Sequence, residues 1–86
     1  MKRLLYAREF TKSFSRLPAS VKKSYKELEK LLAQDHTHPR LHLKKLKGEK
    51  FVFSFRITRE YRALFTFIDD TSILLLTIGH RKDVYK

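Results

Sequence analysis

Six side chains in two short strings have the chemistry to hold and process a phosphodiester. Arg56, Arg59 and Arg62 fall within SFRITREYR at 54–62, and His80, Arg81 and Tyr85 fall within GHRKDVY at 79–85. Guanidinium groups bind phosphate in a planar, bidentate way and stay charged at any physiological pH. A histidine moves a proton near neutrality. In-line attack by a ribose 2′-hydroxyl builds charge on the phosphate oxygens, and a fixed guanidinium relieves it. This is equipment for binding RNA and for cutting it.

The segments around these residues read as strands. In FVFSFRI at 51–57, Phe51, Phe53, Phe55 and Ile57 fall on one face, and Val52, Ser54 and Arg56 on the other. TRE at 58–60 is a tight connection, and YRALFTFI at 61–68 is the next strand. Across such a hairpin Arg56 and Arg62 can meet on one face as a two-armed clamp. The ordinary alternative for Arg62 is an exposed pairing with Glu60 or an aspartate. Arg59, in the turn, either touches RNA further along or is simply solvated. Asp69 and Asp70 mark a turn, and SILLLTI at 72–78 is apolar on both faces, as a central strand is. Gly79 begins a charged tail.

Upstream the period changes from two to helical. KRLLYA at 2–7 reads as a strand. Phe10, Phe14 and Leu17 predict a helix over 8–17, stopped by Pro18. Ser20 can cap a second helix, whose stripe of Val21, Tyr25, Leu28, Leu31 and Leu32 runs to about 34. The stretch 35–50 is a connection anchored by Leu41, Leu43 and Leu46, with a turn at Gly48. The predicted order is β-α-α-β-β-β, an α+β fold with a helical hairpin on one sheet face.

Length and composition fit one domain over 1–86. Lys and Arg number 20 against 9 Asp and Glu, a net charge of +11. Such an excess draws polyanions, nucleic acid first and an acidic protein second. With no cysteine, disulfides and thiol chemistry are excluded. The start of the chain lacks the apolar core of a secretory signal, and no apolar run approaches the ~20 residues of a membrane span. A cytoplasmic protein with no membrane partner is expected.

The whole chain resembles the RelE/ParE superfamily of toxins from toxin–antitoxin pairs. The resemblance is carried by YAREFTKSFSRLP, HPRLHLKKLKG, SFRITREYRALF and LLLTIGHRKDVY, in that order and spacing. It implies a compact microbial RNase-like fold, a cognate antitoxin held in a hetero-oligomer, and cleavage of messenger RNA on the ribosome without metal or cofactor. By resemblance, Arg62 holds the scissile phosphate and Arg81 matches an important arginine. Tyr85 corresponds to a C-terminal tyrosine that stacks on a base or takes part in proton transfer. His80 resembles, several residues early, an acid–base histidine of YoeB-like members. RelE-like toxins carry two lysines where this chain has Val52 and Ser54, and the YoeB-like glutamate base has no counterpart before LKKLKG. His80 is then a candidate base, and Lys44, Lys45, Lys47 and Lys50 supply RNA-binding charge. The resemblance also admits a ParE-like gyrase inhibitor and a non-catalytic antitoxin-binding module or corepressor.

Other patterns are weaker. His36, His38 and His42 have only Asp35 beside them, a poor metal set. The phenylalanines, Phe51 included, read as core and not as a base-stacking platform. No glycine-rich phosphate loop is present.

Overall fold

The computed structural model describes residues 1–85. A strand β1 (Arg3–Tyr6) leads into helices α1 (Arg8–Ser15) and α2 (Ala19–Gln34). A 3-10 turn (Pro39–Leu41) and a two-residue strand β2 (Lys44–Lys45) follow. Strands β3 (Val52–Arg56), β4 (Tyr61–Asp69) and β5 (Ser72–His80) and a short helix α3 (Arg81–Val84) complete the order. The α+β architecture with its helical hairpin is the one expected. The strand at Lys44–Lys45 and the terminal helix are additions to it. Two lysines carry no alternating apolar pattern, and four residues are too few for a helical one.

Pro18 sets the α1–α2 corner. It disfavours helical backbone at Leu17, so α1 ends at Ser15 and not at 17. Pro18 is itself the residue before α2, and its carbonyl accepts from the Val21 and Lys22 amides at 3.0 and 3.1 Å. Ser20 therefore lies inside α2 and does not cap it.

The sheet order is β1-β5-β4-β3-β2, with β1 parallel to β5 and every other pair antiparallel. One face of it packs on the helices. Val21, Tyr25, Leu28 and Leu32 on α2 and Phe10 on α1 meet Phe55, Ala63, Phe65, Ile73, Leu75 and Ile78. Fully burying side chains of this kind stabilises a fold by about 1.5–3 kcal/mol each. β5, apolar on both faces, lies inside the sheet between β1 and β4. Leu41 is fully buried and anchors the connection from the helices to β2.

Register breaks in β4–β5 shape the opposite face. The pairs Leu64–Thr77 and Phe65–Leu75 leave Leu76 as an extra residue, and Phe67–Ile73 and Asp69–Ser72 leave Ile68 as another. Ile68 is consequently half-exposed despite being apolar. Phe51 departs from the sequence expectation: it lies one residue before β3 and is 73% exposed, so it is not core.

Candidate functional site

The face of the sheet away from α1 and α2 carries the cations. Antiparallel pairing puts Arg56 directly opposite Arg62, and Arg62 opposite Gly79. The adjacent row on the same face is Lys44, Ser54, Leu64 and Thr77. Like charges directly opposed on neighbouring strands destabilise a sheet, and Arg56 and Arg62 keep that arrangement.

Arg62 is fixed by the turn between its strand and the previous one. Its Nη1 donates to three carbonyls, those of Thr58, Arg59 and Tyr61, at 2.7, 3.0 and 3.1 Å. The Ile57 amide donates to the Tyr61 carbonyl at 2.9 Å and closes the turn. Arg62 is thus half-buried and held in place, while Arg56 is exposed. Gly79 adds space beside them, since a Cβ there would meet nothing within 4 Å.

Helix α3 folds back over β4 and β5. This brings Tyr85 to the row of Ser54, and its hydroxyl donates to Ser54 Oγ at 3.3 Å. Ser54 is buried as a result. Val52, Leu64, Leu76, Val84 and Tyr85 line an open groove of about 630 Å³ with Lys47 and Glu49 at its rim.

His80 and Arg81 belong to a different neighbourhood. His80 pairs with Tyr61, one residue out of phase with the Arg56–Arg62–Gly79 row, and alternation turns it to the other side of the sheet. Its ring meets Tyr61 edge-on at 5.5 Å and borders a cleft shared with Arg16, Leu17 and Pro18. His80 Nδ1 accepts the Lys82 amide at 3.1 Å and so caps α3. The neutral ring then carries its proton on Nε2, 3.2 Å from Glu60 Oε2. Arg81 Nε lies 3.6 Å from the same oxygen, and the Arg81 amide donates to the Glu60 carbonyl at 2.8 Å. Glu60, read in the sequence as a partner for Arg62, is the partner of His80 and Arg81.

The structure therefore brings Arg56, Arg62, Tyr85 and Lys44 to one face and gathers His80 and Arg81 around Glu60 at the strand end. Arg59 is exposed in the turn, and Lys45, Lys47 and Lys50 are exposed on or after β2. Glu60 and Ser54 are the two polar residues whose partners sequence reasoning missed. Glu60 gave no signal because its partners lie about 20 positions away. Among the described residues no three His, Asp or Glu side chains gather to hold a metal. His36 instead meets Phe67 edge-on at 5.0 Å, and His38 Nδ1 accepts the Arg40 amide. Nor is any described helix long and apolar enough to cross a membrane.

No protein-family model and no curated protein matches the chain. Solved structures do. YafQ of Escherichia coli superposes with a TM-score of 0.81 at 13% identity, with 100% of both chains covered. A chain of the RelB–RelE antitoxin–toxin complex of Methanococcus jannaschii gives 0.77 at 23%, covering 94% of each. The YoeB dimer of Staphylococcus aureus gives 0.77 at 19%, covering 93% of this chain and 97% of that one. The protein has the fold of the RelE/YoeB toxin superfamily.

Proposed function

We propose that this protein is the toxin of a toxin–antitoxin pair and that it cleaves messenger RNA, on the ribosome, to stop translation. The observation that carries the reading is the Arg56–Arg62 pair. Two permanently charged groups stand opposed on the sheet face away from α1 and α2, a destabilising arrangement that an anion between them would relieve. A phosphodiester supplies that anion.

In the reaction a ribose 2′-oxygen attacks phosphorus, the bond to the 5′-oxygen breaks, and a 2′,3′-cyclic phosphate forms. Arg62, held by three turn carbonyls, needs little reorganisation to stabilise the pentacoordinate phosphate. Arg56 assists from across the strand pair. The Tyr85 phenol, one row away, turns its proton from Ser54 to the departing 5′-oxygen in this reading. His80, the candidate base, stands on the other side of the sheet from this pair, so the 2′-proton passes to solvent unless the strand end turns and frees Nδ1 from the Lys82 amide or Nε2 from Glu60. Arg81 adds charge at the strand end. Lys44, Lys45, Lys47, Lys50 and Arg59 contact the RNA backbone.

Such a toxin is kept silent by an antitoxin. With a net charge of +11 the expected partner is acidic, and their complex weakens with salt.

The test is cleavage of messenger RNA in a translating extract. The parent should arrest translation and leave discrete 3′ ends, while Arg62→Ala and Arg56→Ala should not. If both variants cut as the parent does, the site is elsewhere. Val52 and Ser54, standing where RelE-like toxins carry lysines, favour the second reading of a non-cleaving antitoxin-binding module. A parent that binds RNA or an antitoxin without cutting would select it.

A further inference from the structure

The loop between β2 and β3 presents an aromatic ring to solvent among lysines. Phe51 is 73% exposed, and Lys44, Lys45, Lys47 and Lys50 lie within the seven residues before it. A single exposed phenylalanine is ordinary on its own, and what marks this one is its setting among lysines. Here it is also held still. The Leu46 amide donates to the Val52 carbonyl at 2.8 Å and closes the loop, and the Glu49 amide donates to the Leu46 carbonyl at 3.2 Å. Gly48, at φ 86°, permits the turn between them. Thr66 Oγ1, from β4, donates to the Phe51 carbonyl at 2.6 Å and pins the residue itself to the sheet. The ring is presented by a fixed backbone and not by a frayed end.

We propose that Phe51 is a stacking platform for one unpaired base of single-stranded RNA. The flanking lysines hold the adjoining phosphates along the shallow groove formed by Lys45, Leu46, Lys47, Gly48, Glu49 and Lys50. Rings with neighbouring cations bind single strands in this way: the base covers the apolar face, and the phosphates meet the ammonium groups. Charge decides the class of occupant. Three groove lysines, Lys45, Lys47 and Lys50, against the single carboxylate of Glu49 match a phosphate backbone. A nucleic-acid strand is the complement that satisfies ring and charges together. The inference deepens the RNA-cleaving reading by adding a contact away from Arg56 and Arg62, and it rests on that reading only for the identity of the natural RNA.

The sequence contains no tryptophan, so Phe51→Trp makes the full-length protein report on this position alone. The probe is a short 2′-O-methyl single strand, which lacks the attacking hydroxyl and cannot be cut. Titration should quench the indole saturably, as base stacking does. A duplex of equal length, with its bases already stacked, should bind without comparable quenching. Phe51→Ala should weaken single-strand binding about 5- to 100-fold, and Phe51→Tyr should restore it. The proposal is overturned if Phe51→Ala binds as the parent does or if the duplex quenches equally. It is also overturned if a polyglutamate peptide quenches the indole and the single strand does not, which would make the patch a protein-docking surface. Cleavage is read separately. Stacking without cleavage by the parent leaves the Phe51 platform standing and removes the nuclease; cleavage unaffected by Phe51→Ala, with unchanged binding, does the reverse.

Discussion

The Tyr85 hydroxyl donates to Ser54 Oγ at 3.3 Å, joining residues 31 positions apart and laying the end of the chain across the sheet. Tyr85 is nevertheless 45% exposed, so its ring is available to a ligand while its oxygen is placed. Tyr85→Phe keeps the ring and removes the proton. It should lower stability by no more than about 1 kcal/mol, the net worth of one ordinary hydrogen bond. Cleavage should fall steeply while RNA binding holds. Retained cleavage would show that the tyrosine only stacks; chemical denaturation and a single-turnover assay read the two effects.

Tyr25 supplies a second test, this one of the core. It is 1% exposed, and its hydroxyl lies near Glu29 and Tyr6 without a well-formed hydrogen bond to either. Its ring packs on Phe10 and Phe14 with centroids 5.4 Å away in each case. A buried unsatisfied hydroxyl costs about 1–3 kcal/mol, so Tyr25→Phe should raise the melting temperature. Burial, with the Glu29 carboxylate nearby, pushes the Tyr25 phenol far up; burial and the bond to Glu29 push the Tyr6 phenol up to about 12. Both folded values lie above the unfolded value of 10.0. Unfolding therefore releases protons once the pH passes 10, and stability falls from there upward. The parent should lose stability more steeply than Tyr25→Phe in alkaline melts, with no difference in slope between pH 7 and 9.

Much of this architecture is legible in the sequence because it follows periodicity. The alternation in FVFSFRI and the three-four spacing of Val21, Tyr25, Leu28 and Leu32 each name a buried face, and burial is what the fold enforces. The exceptions arise where a local pattern lacks tertiary context. Phe51 continues the alternation of Phe53 and Phe55, yet the sheet has ended before it and no helix lies over it. Lys44–Lys45 forms a strand because β3 offers an edge, not because lysines favour one. In the site, Arg56 and Arg62 are predictable partners across a short turn. The grouping of His80 and Arg81 with Glu60 depends on the β4–β5 register, and two bulges in that register hide it from any count of residues.

His80 holds two jobs that one substitution separates. As the cap of α3 it needs only an acceptor, which asparagine also offers. As a base it needs an imidazole. His80→Asn should fold with stability close to that of the parent, and His80→Ala should lose about 1 kcal/mol through the uncapped Lys82 amide. If His80→Asn cuts RNA at the parental rate, the histidine is a positioning residue for α3 and Tyr85. If cleavage is lost while the circular dichroism spectrum and melting temperature hold, the imidazole handles the proton.

Gly79 gives the sharpest separation of fold from function. It pairs with Arg62 on the open face, its φ lies outside the left-handed region, and a Cβ there would meet no atom within 4 Å. Nothing in the fold asks for glycine. In a strand interior glycine is weaker than alanine by roughly 0.5–1 kcal/mol, so Gly79→Ala should be neutral or stabilising. The added methyl would stand on the open face next to Arg62, across which the proposed phosphate has to approach, and Gly79→Val would fill more of it. RNA cleavage should therefore fall from glycine to alanine to valine while the melting temperature does not. A set in which activity and stability decline together would mean that the space is structural, and that the phosphate sits on the far side of Arg56.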